Sequence, residues 1–405
     1  MPSARKWAIV ALLCAAFIIA YLHRQNLSIA LTTAEFKRFF ALDDKTRGLL
    51  NSAFFWTYAA LQIPAGWIVD RFGVKWPFAI CFSLWCIAAA STAWCTTFAA
   101  LFAVRLLLGA GEAVNTPAGM RWIRLNFPAD KHGFVMGLYQ AAAKVGPAIG
   151  APLVAWLIAF YSWRSMFIIA GFGALLWVPF WIALVPNNDR MVEQKVLKRS
   201  EINAIPFAQL FASPVMWGII IGSFCYNYFL YFCLTWLPAY FAEQRRLSLN
   251  STGWFTGFTF WGAAIVAIGA GYWADTLVRR GWDAVSTRRL FIVVGFILAS
   301  TELIGAVSPS NNVALFFAIF SLSGMGLATG NYWAITPAIL PGAPAARLAA
   351  LQNMAANIPG IVAPIVTGWL KQSTGSYYAP MLANFAGLMI GIGSYTVLVR
   401  RRYAR

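Results

Sequence analysis

Acidic residues are scarce in this chain: 13 Asp and Glu stand against 31 Lys and Arg, and charged residues make up only 11% of 405. A soluble globular domain carries about 25% charged residues, so an ordinary water-facing surface is excluded. Histidine is rarer still, with two copies, and the six cysteines show no C-x-x-C spacing of metal or redox type. All six fall in apolar segments, where a thiol acts as a small hydrophobe. No nucleophile, base and orienting group sit at suggestive spacing, and no metal-ligand cluster appears, so an enzyme is not expected. Alternating segments of about ten residues, the mark of a membrane β-barrel, are absent too. The start, MPSARKWAIV, is basic and then apolar, but no small-residue cleavage site precedes the next charges. It reads as a retained first span.

What the chain does have is hydrophobic length. Its hydrophobic share is 60%, its mean hydropathy is +0.66, and charges come in short bursts between apolar runs. Stretches of about 20 apolar residues are long enough to cross a bilayer core. Twelve such runs are expected, from 7–33 at the start to 379–399 at the end. The fold class is therefore all-α integral membrane, with the lipid bilayer as a partner. The longest polar stretch, NNDRMVEQKVLKRSEINAIPFAQ from Asn187, divides the runs six and six. The expected organisation is an N-terminal six-helix bundle over 1–186, a cytoplasmic linker over 187–213 and a C-terminal six-helix bundle over 214–405.

The net charge of +18 does not require nucleic acid, because basic residues flank the spans mainly on one side. Arg5, Lys6, Arg71, Lys75, Lys131, the linker cations, Arg279, Arg280, Arg288, Arg289 and the tail Arg400 to Arg402 share that side. By the positive-inside rule both termini are expected in the cytoplasm. The halves also repeat. GWIVDRFGVK after the second span matches GYWADTLVRRG after the eighth, each Gly-x-x-x-Asp followed by basic residues and glycine. GPAIGAPLVAWL in the fifth span parallels IPGIVAPIVTGWL in the eleventh. Two related six-span halves describe a transporter with a site near the midplane.

Gly66-x-x-x-Asp70-Arg71-x-Gly73-x-Lys75 resembles the loop motif between spans two and three of the major facilitator superfamily. YLHRQNLSIA, RLLLGAGEAVNTPAG, APLVAWLIAFYSWRSMF and LQNMAANIPGIVAP resemble its anion:cation symporter branch, which takes up hexuronates, aldonates and other organic anions and includes sialin-type transporters. The resemblance covers essentially the whole chain. It implies twelve transmembrane helices in two pseudo-symmetric halves and a monomeric habit. Gly66, Asp70 and Arg71, with Asp275 in the second copy, are the expected gating residues. Glycines there allow close helix approach, and Asp70 can pair with a cation at a neighbouring helix end.

Ionisable residues at bilayer depth are expensive and therefore functional candidates. Arg24 offers a planar fork for a carboxylate; its bland alternative is an arginine reaching the far surface. Arg105 and Glu112 lie two helical turns apart on one face, about 10 Å along the axis, and Asn115 is expected to share it. The resemblance implies that Glu112 is the proton-coupling residue and that Arg105 supports it. A static Arg105–Glu112 pair is the structural alternative. Desolvation and the nearby cations act on this carboxyl in opposite senses. Lys144 among alanines and glycines adds a second cation if it faces a cavity, or else reaches the cytoplasmic interface. Relatives have aspartate where His23 stands. A histidine becomes cationic on protonation, so His23 either joins in proton coupling, leaves it to Glu112, or accompanies anion exchange. In the second half the expected substrate contacts are Asn227, Asn353 and Asn357, with Tyr58 on the second span completing a cavity wall.

The expected function is proton-coupled import of a small organic anion, a sugar acid, by alternating access, with no cofactor beyond the proton or another coupling ion. The compact chain suggests a bacterial inner membrane. KVGPAIG resembles the fifth-span motif of proton-coupled antiporters, so a drug or cation exporter is one alternative. Others are an exchanger of aromatic or other carboxylates and a non-transporting sensor.

Overall fold

The computed structural model describes residues 3–187, 213–339 and 345–400. Among these the regular structure is helical and contains no strand. Ten helices, or pairs of helices in line, are long and apolar enough to cross a membrane. They are the first span (Ser3–Ala30), third (Lys75–Trp94), fourth (Phe98–Asn126), fifth (Phe134–Phe160) and sixth (Trp163–Leu184). The seventh (Pro214–Thr235), eighth (Leu249–Arg279), ninth (Ala284–Val307), tenth (Asn311–Thr336) and twelfth (Tyr378–Leu398) follow. Two more polar helical segments complete a series of twelve. The second span is Asp44–Ala60 followed by Gln62–Phe72, interrupted at Leu61, with charges at both ends. The eleventh, Ala345–Thr374, carries Gln352, Asn353 and Asn357 within its length. The linker expected at 187–213 lies almost entirely outside the described residues, as do Arg401 and Arg402.

Side chains explain where several helices start. Asp43 accepts from Thr46 N at 2.8 Å while Thr46 Oγ accepts from Asp43 N, a reciprocal cap that satisfies two otherwise orphaned amides. Thr97, Ser162 and Asp283 cap the fourth, sixth and ninth spans, each accepting from an amide three residues on. The repeated loop motif ends each time on a glycine with positive φ, 81° at Gly73 and 94° at Gly281. An L side chain is strained there, which explains the shared glycine. Gly66 differs: a Cβ would lie 4.0 Å from Pro117, an ordinary contact, so close approach is not its reason.

The described residues form two compact units, one of 3–187 with 248–254 and one of 213–247 with 255–400. Within the first, the first span packs along the fifth and the second along the fourth; within the second, the seventh packs along the eleventh. The first–fifth and seventh–eleventh pairings occupy equivalent places in the repeat. At the second–fourth seam a methyl on Gly109 would collide with the Phe54 carbonyl oxygen and Thr57 Oγ, so small residues set that spacing. Large apolar side chains such as Ile63 (84% exposed) and Leu176 (72%) lie outward, while Arg24, Arg105 and Glu112 are inside. That inversion of the soluble pattern suits lipid as the outer solvent.

The loop aspartates both find arginines. Arg121 Nη1 donates to Asp70 at 2.5 Å, and Arg288 Nη2 donates to Asp275 at 2.9 Å. The motif repeats but the partner does not, since Arg121 lies on the fourth span and Arg288 on the ninth. His132 donates from Nε2 to the Phe127 carbonyl at 2.7 Å and so binds the loop after the fourth span.

Candidate functional site

The first unit gathers its buried charges around one guanidinium. Arg24 comes from the first span, and its Cζ lies 4.4 Å from the centroid of Tyr21, one turn earlier. The second span supplies Phe54 at 4.4 Å and Tyr58 at 4.7 Å, two rings four residues apart that stack on each other at 5.2 Å. A weakly hydrated planar cation suits such a cage, and each ring contributes about 0.5–2 kcal/mol once water is excluded. The cage also fixes the direction of the fork. Arg24 Nε donates to Glu112 Oε2 at 2.9 Å, across from the first span to the fourth. Arg24 is 4% exposed and Glu112 is fully buried. Arg24 is therefore held inside the unit and does not reach the far surface.

Glu112 thus pairs with Arg24, and the static pair with Arg105 along its own helix is not formed. Glu112 Oε1 accepts no hydrogen bond among the described residues. Arg105 is 4% exposed, its Cζ is 6.0 Å from the Phe54 centroid, and its Nε has no hydrogen-bond partner among the described residues. The cations that act on Glu112 are Arg24 and Arg105. Glu112 is also the sole buried carboxylate among the described residues of this unit. Leaving a buried guanidinium partly unsatisfied is costly.

The fourth span is interrupted just here. One helix ends at Glu112 and the next begins at Asn115, with Ala113 and Val114 between them still in the right-handed helical region. Asn115 is fully buried, and both its carbonyl and its Oδ1 accept from Tyr139 Oη at 2.9 Å. Its Nδ2 makes no hydrogen bond among the described residues. Tyr139 on the fifth span stacks on Phe17 at 4.5 Å, so the break is tied to the first–fifth pair. Lys144 is buried on the fifth span at 6% exposure. His23 is turned to the sixth span, where Nε2 lies 3.1 Å from the Ala170 carbonyl. A carbonyl can only accept, so this nitrogen carries the proton. Nδ1 makes no hydrogen bond among the described residues.

In the second unit Asn227 donates to the Ser223 carbonyl of its own helix at 2.8 Å, and Asn357 donates to the Asn353 carbonyl at 2.9 Å. Gln352 is more constrained: it accepts from Thr336 Oγ at 2.8 Å and donates to the Tyr332 carbonyl at 2.6 Å. Tyr332 in turn stacks on Tyr226 at 4.4 Å. Glu302 is buried and accepts from Asn384 Nδ2 at 3.1 Å.

Arg24, Tyr58, Arg105 and Glu112 therefore meet, Asn115 flanks them, and His23 faces away. Sequence reasoning missed Tyr21 and Phe54, whose signal was their spacing of three and four residues from Arg24 and Tyr58. It also missed Gln25 and Asn26, both fully buried with side-chain amides that make no hydrogen bond among the described residues. Their place directly after Arg24 was the available signal. Among the described residues no cluster of His, Cys, Asp and Glu is placed to hold a metal ion.

Residues 13–364 match the family profile described as Major Facilitator Superfamily. The chain is 29% identical to the probable L-galactonate transporter of Escherichia coli (strain K12), over 96% of this chain and 88% of that protein. It is 28% identical to the probable galactarate/D-glucarate transporter GudP of the same strain, over 98% and 94%. Among solved structures, a bacterial homologue of the human lysosomal transporter Spinster, in an inward-facing and unoccupied conformation, superposes with a TM-score of 0.80 at 16% identity. That match covers 99% of this chain and 98% of the other.

Proposed function

The chain belongs to the major facilitator superfamily and is a membrane transporter, not an enzyme, and on that premise we propose that it imports a sugar acid across a bacterial inner membrane. The relatives named for galactonate and for galactarate or glucarate support an aldonate or aldarate as cargo. The observation that carries the reading is Arg105, a buried guanidinium beside a caged Arg24–Glu112 pair. Two arginines against one carboxylate attract an anion and repel a lipophilic cation, which disfavours the drug-exporter alternative.

Arg24 and Arg105 hold the carboxyl end of the substrate, with Asn115 and Lys144 lining the same unit. Tyr58 keeps Arg24 in its orientation. Glu112 is the proton site: when neutral it releases its hold on Arg24, so proton and anion enter together. His23 donates to a backbone carbonyl and stays neutral in this scheme. Asp70 with Arg121, Arg71, Gly66 and Asp275 with Arg288 govern the change between inward and outward exposure. The protein works as a monomer without cofactor, with both termini in the cytoplasm.

Purified protein in liposomes tests this. Labelled L-galactonate or D-glucarate is expected to accumulate when the outside is acidic, and sugar-acid anions are expected to compete while cationic dyes do not. Competition by the dyes with no effect of the anions would overturn the reading.

A further inference from the structure

The second unit keeps a carboxyl deep inside that the transport scheme above leaves without a task. Glu302 begins the short helix Glu302–Val307 that ends the ninth span, and it is 5% exposed. It accepts from Asn384 Nδ2 of the twelfth span at 3.1 Å, and among the described residues it forms no ion pair. Asn384 is itself buried, and its Oδ1 makes no hydrogen bond among the described residues. The surrounding packing is close. A Cβ on Gly391 would collide with the Phe296 ring across the ninth–twelfth seam, and one on Gly305 would press on Phe317 of the tenth span.

An ionised carboxylate here would be a buried anion held by one amide hydrogen. It would also leave the Asn384 carbonyl without a donor, because a carboxylate only accepts. A carboxylic acid removes both costs. Its O–H can donate to Asn384 Oδ1 while the other oxygen goes on accepting from Nδ2, the two-point match of an acid and an amide. Turning the amide over changes nothing, since oxygen then faces oxygen and a proton is needed between them. We infer that Glu302 is a proton-binding site of the second unit: it keeps its proton throughout transport and, with Asn384, closes a neutral clasp between the ninth and twelfth spans. The proton that Glu112 takes up with the anion is a different one.

The charged and titratable groups of the neighbouring elements leave that proton in place. Arg245, after the seventh span, reaches the far end of the same short helix, but all three of its nitrogens are occupied. Nε donates to Tyr240 Oη at 2.7 Å, Nη1 to the Ser308 carbonyl at 2.8 Å and Nη2 to the Gly305 carbonyl at 2.6 Å. Tyr240, which interacts electrostatically with Glu302, is a phenol and neutral near pH 7. The tenth-span helix Asn311–Thr329 carries no titratable side chain, and the twelfth-span helix Tyr378–Gly393 carries one phenol, at its exposed start. On the ninth span itself, Arg288 and Arg289 lie about 20 Å away along the axis. The first pairs with Asp275 and the second donates to the Val399 carbonyl.

Infrared difference spectra of the full-length protein against Glu302→Gln test this at pH 7, where an ordinary glutamate is ionised. The wild type is expected to show the carbonyl stretch of a protonated carboxyl group that the variant lacks; loss of carboxylate bands in the variant instead would overturn the inference. The glutamine amide can make the same two-point contact, so Glu302→Gln is expected to melt within about 2 °C of the wild type. Glu302→Leu strands Asn384 and should melt several degrees lower, with Asn384→Leu added to it restoring most of the loss. Equal melting of Glu302→Gln and Glu302→Leu would contradict the clasp. In liposomes Glu302→Gln should keep acid-driven uptake at the wild-type rate. Its loss in the folded variant would show that this proton must leave during transport, and would overturn the inference as well. Spectra and melting need no cargo, so their outcome is separate from that of the sugar-acid reading.

Discussion

Arg24 shows how several weak contacts fix one strong charge. The Tyr21, Phe54 and Tyr58 rings and the Glu112 carboxylate hold its guanidinium, so its truncation exposes Glu112 as well as removing a cation. Arg24→Gln is expected to destabilise the protein by about 3–5 kcal/mol, the usual cost of stranding a buried partner. The double variant Arg24→Gln with Glu112→Gln should recover most of that loss, because neither charge is then left alone. Detergent-solubilised melting temperatures measure both; equal melting of the single and double variants would contradict the pairing. At the loop, Arg121 is buried while the Asp70 side chain is 63% exposed. Asp70→Asn is expected to slow uptake severalfold with substrate affinity unchanged, since the pair lies in the gating motif rather than around Arg24. Kinetic uptake alongside equilibrium binding separates those two effects.

Helix-scale features depend on small contacts that spacing alone does not reveal. Gly109 lets the second and fourth spans close on each other, with Thr57 Oγ donating to the Leu106 carbonyl at 2.6 Å across the seam. Gly109→Val is expected to cost about 1–3 kcal/mol through overpacking, and because Phe54 moves with the seam it should also weaken anion binding. Unchanged melting and unchanged affinity would refute this. The spans were legible in the sequence because apolar length is a direct consequence of bilayer thickness, and Arg24, Arg105 and Glu112 because a charge at that depth demands a reason. The interruption between Glu112 and Asn115 was not legible. Glycine and asparagine occur both inside and at the ends of membrane helices, and only the Tyr139 contact shows which applies here. Likewise Arg121 gave no sign of its partner, because Asp70 lies far from it in sequence and the pair forms only when the second and fourth spans are side by side.

Across the whole molecule, the excess of basic residues has two separate meanings. At the ends of spans it carries the expected orientation, and inside the first unit it carries the proposed sign of the cargo. The loop at Trp282, between the eighth and ninth spans, is on the basic side; the loop at Ser310, between the ninth and tenth, is on the other. A membrane-impermeant thiol reagent applied to intact cells is expected to label Ser310→Cys and to spare Trp282→Cys until the membrane is opened; the reverse pattern would invert the topology. The sign of the interior charge was readable from residue types alone. Which arginine is engaged and which is open was not, since that depends on Glu112 reaching across to the first span. The most direct test is therefore calorimetric binding of L-galactonate and D-glucarate to the wild-type protein and to Arg105→Gln, with melting curves to verify folding. The account predicts that the folded variant loses at least about tenfold in affinity for both anions, the scale of one charged hydrogen bond. A folded Arg105→Gln protein that binds both as tightly as the wild type would contradict it.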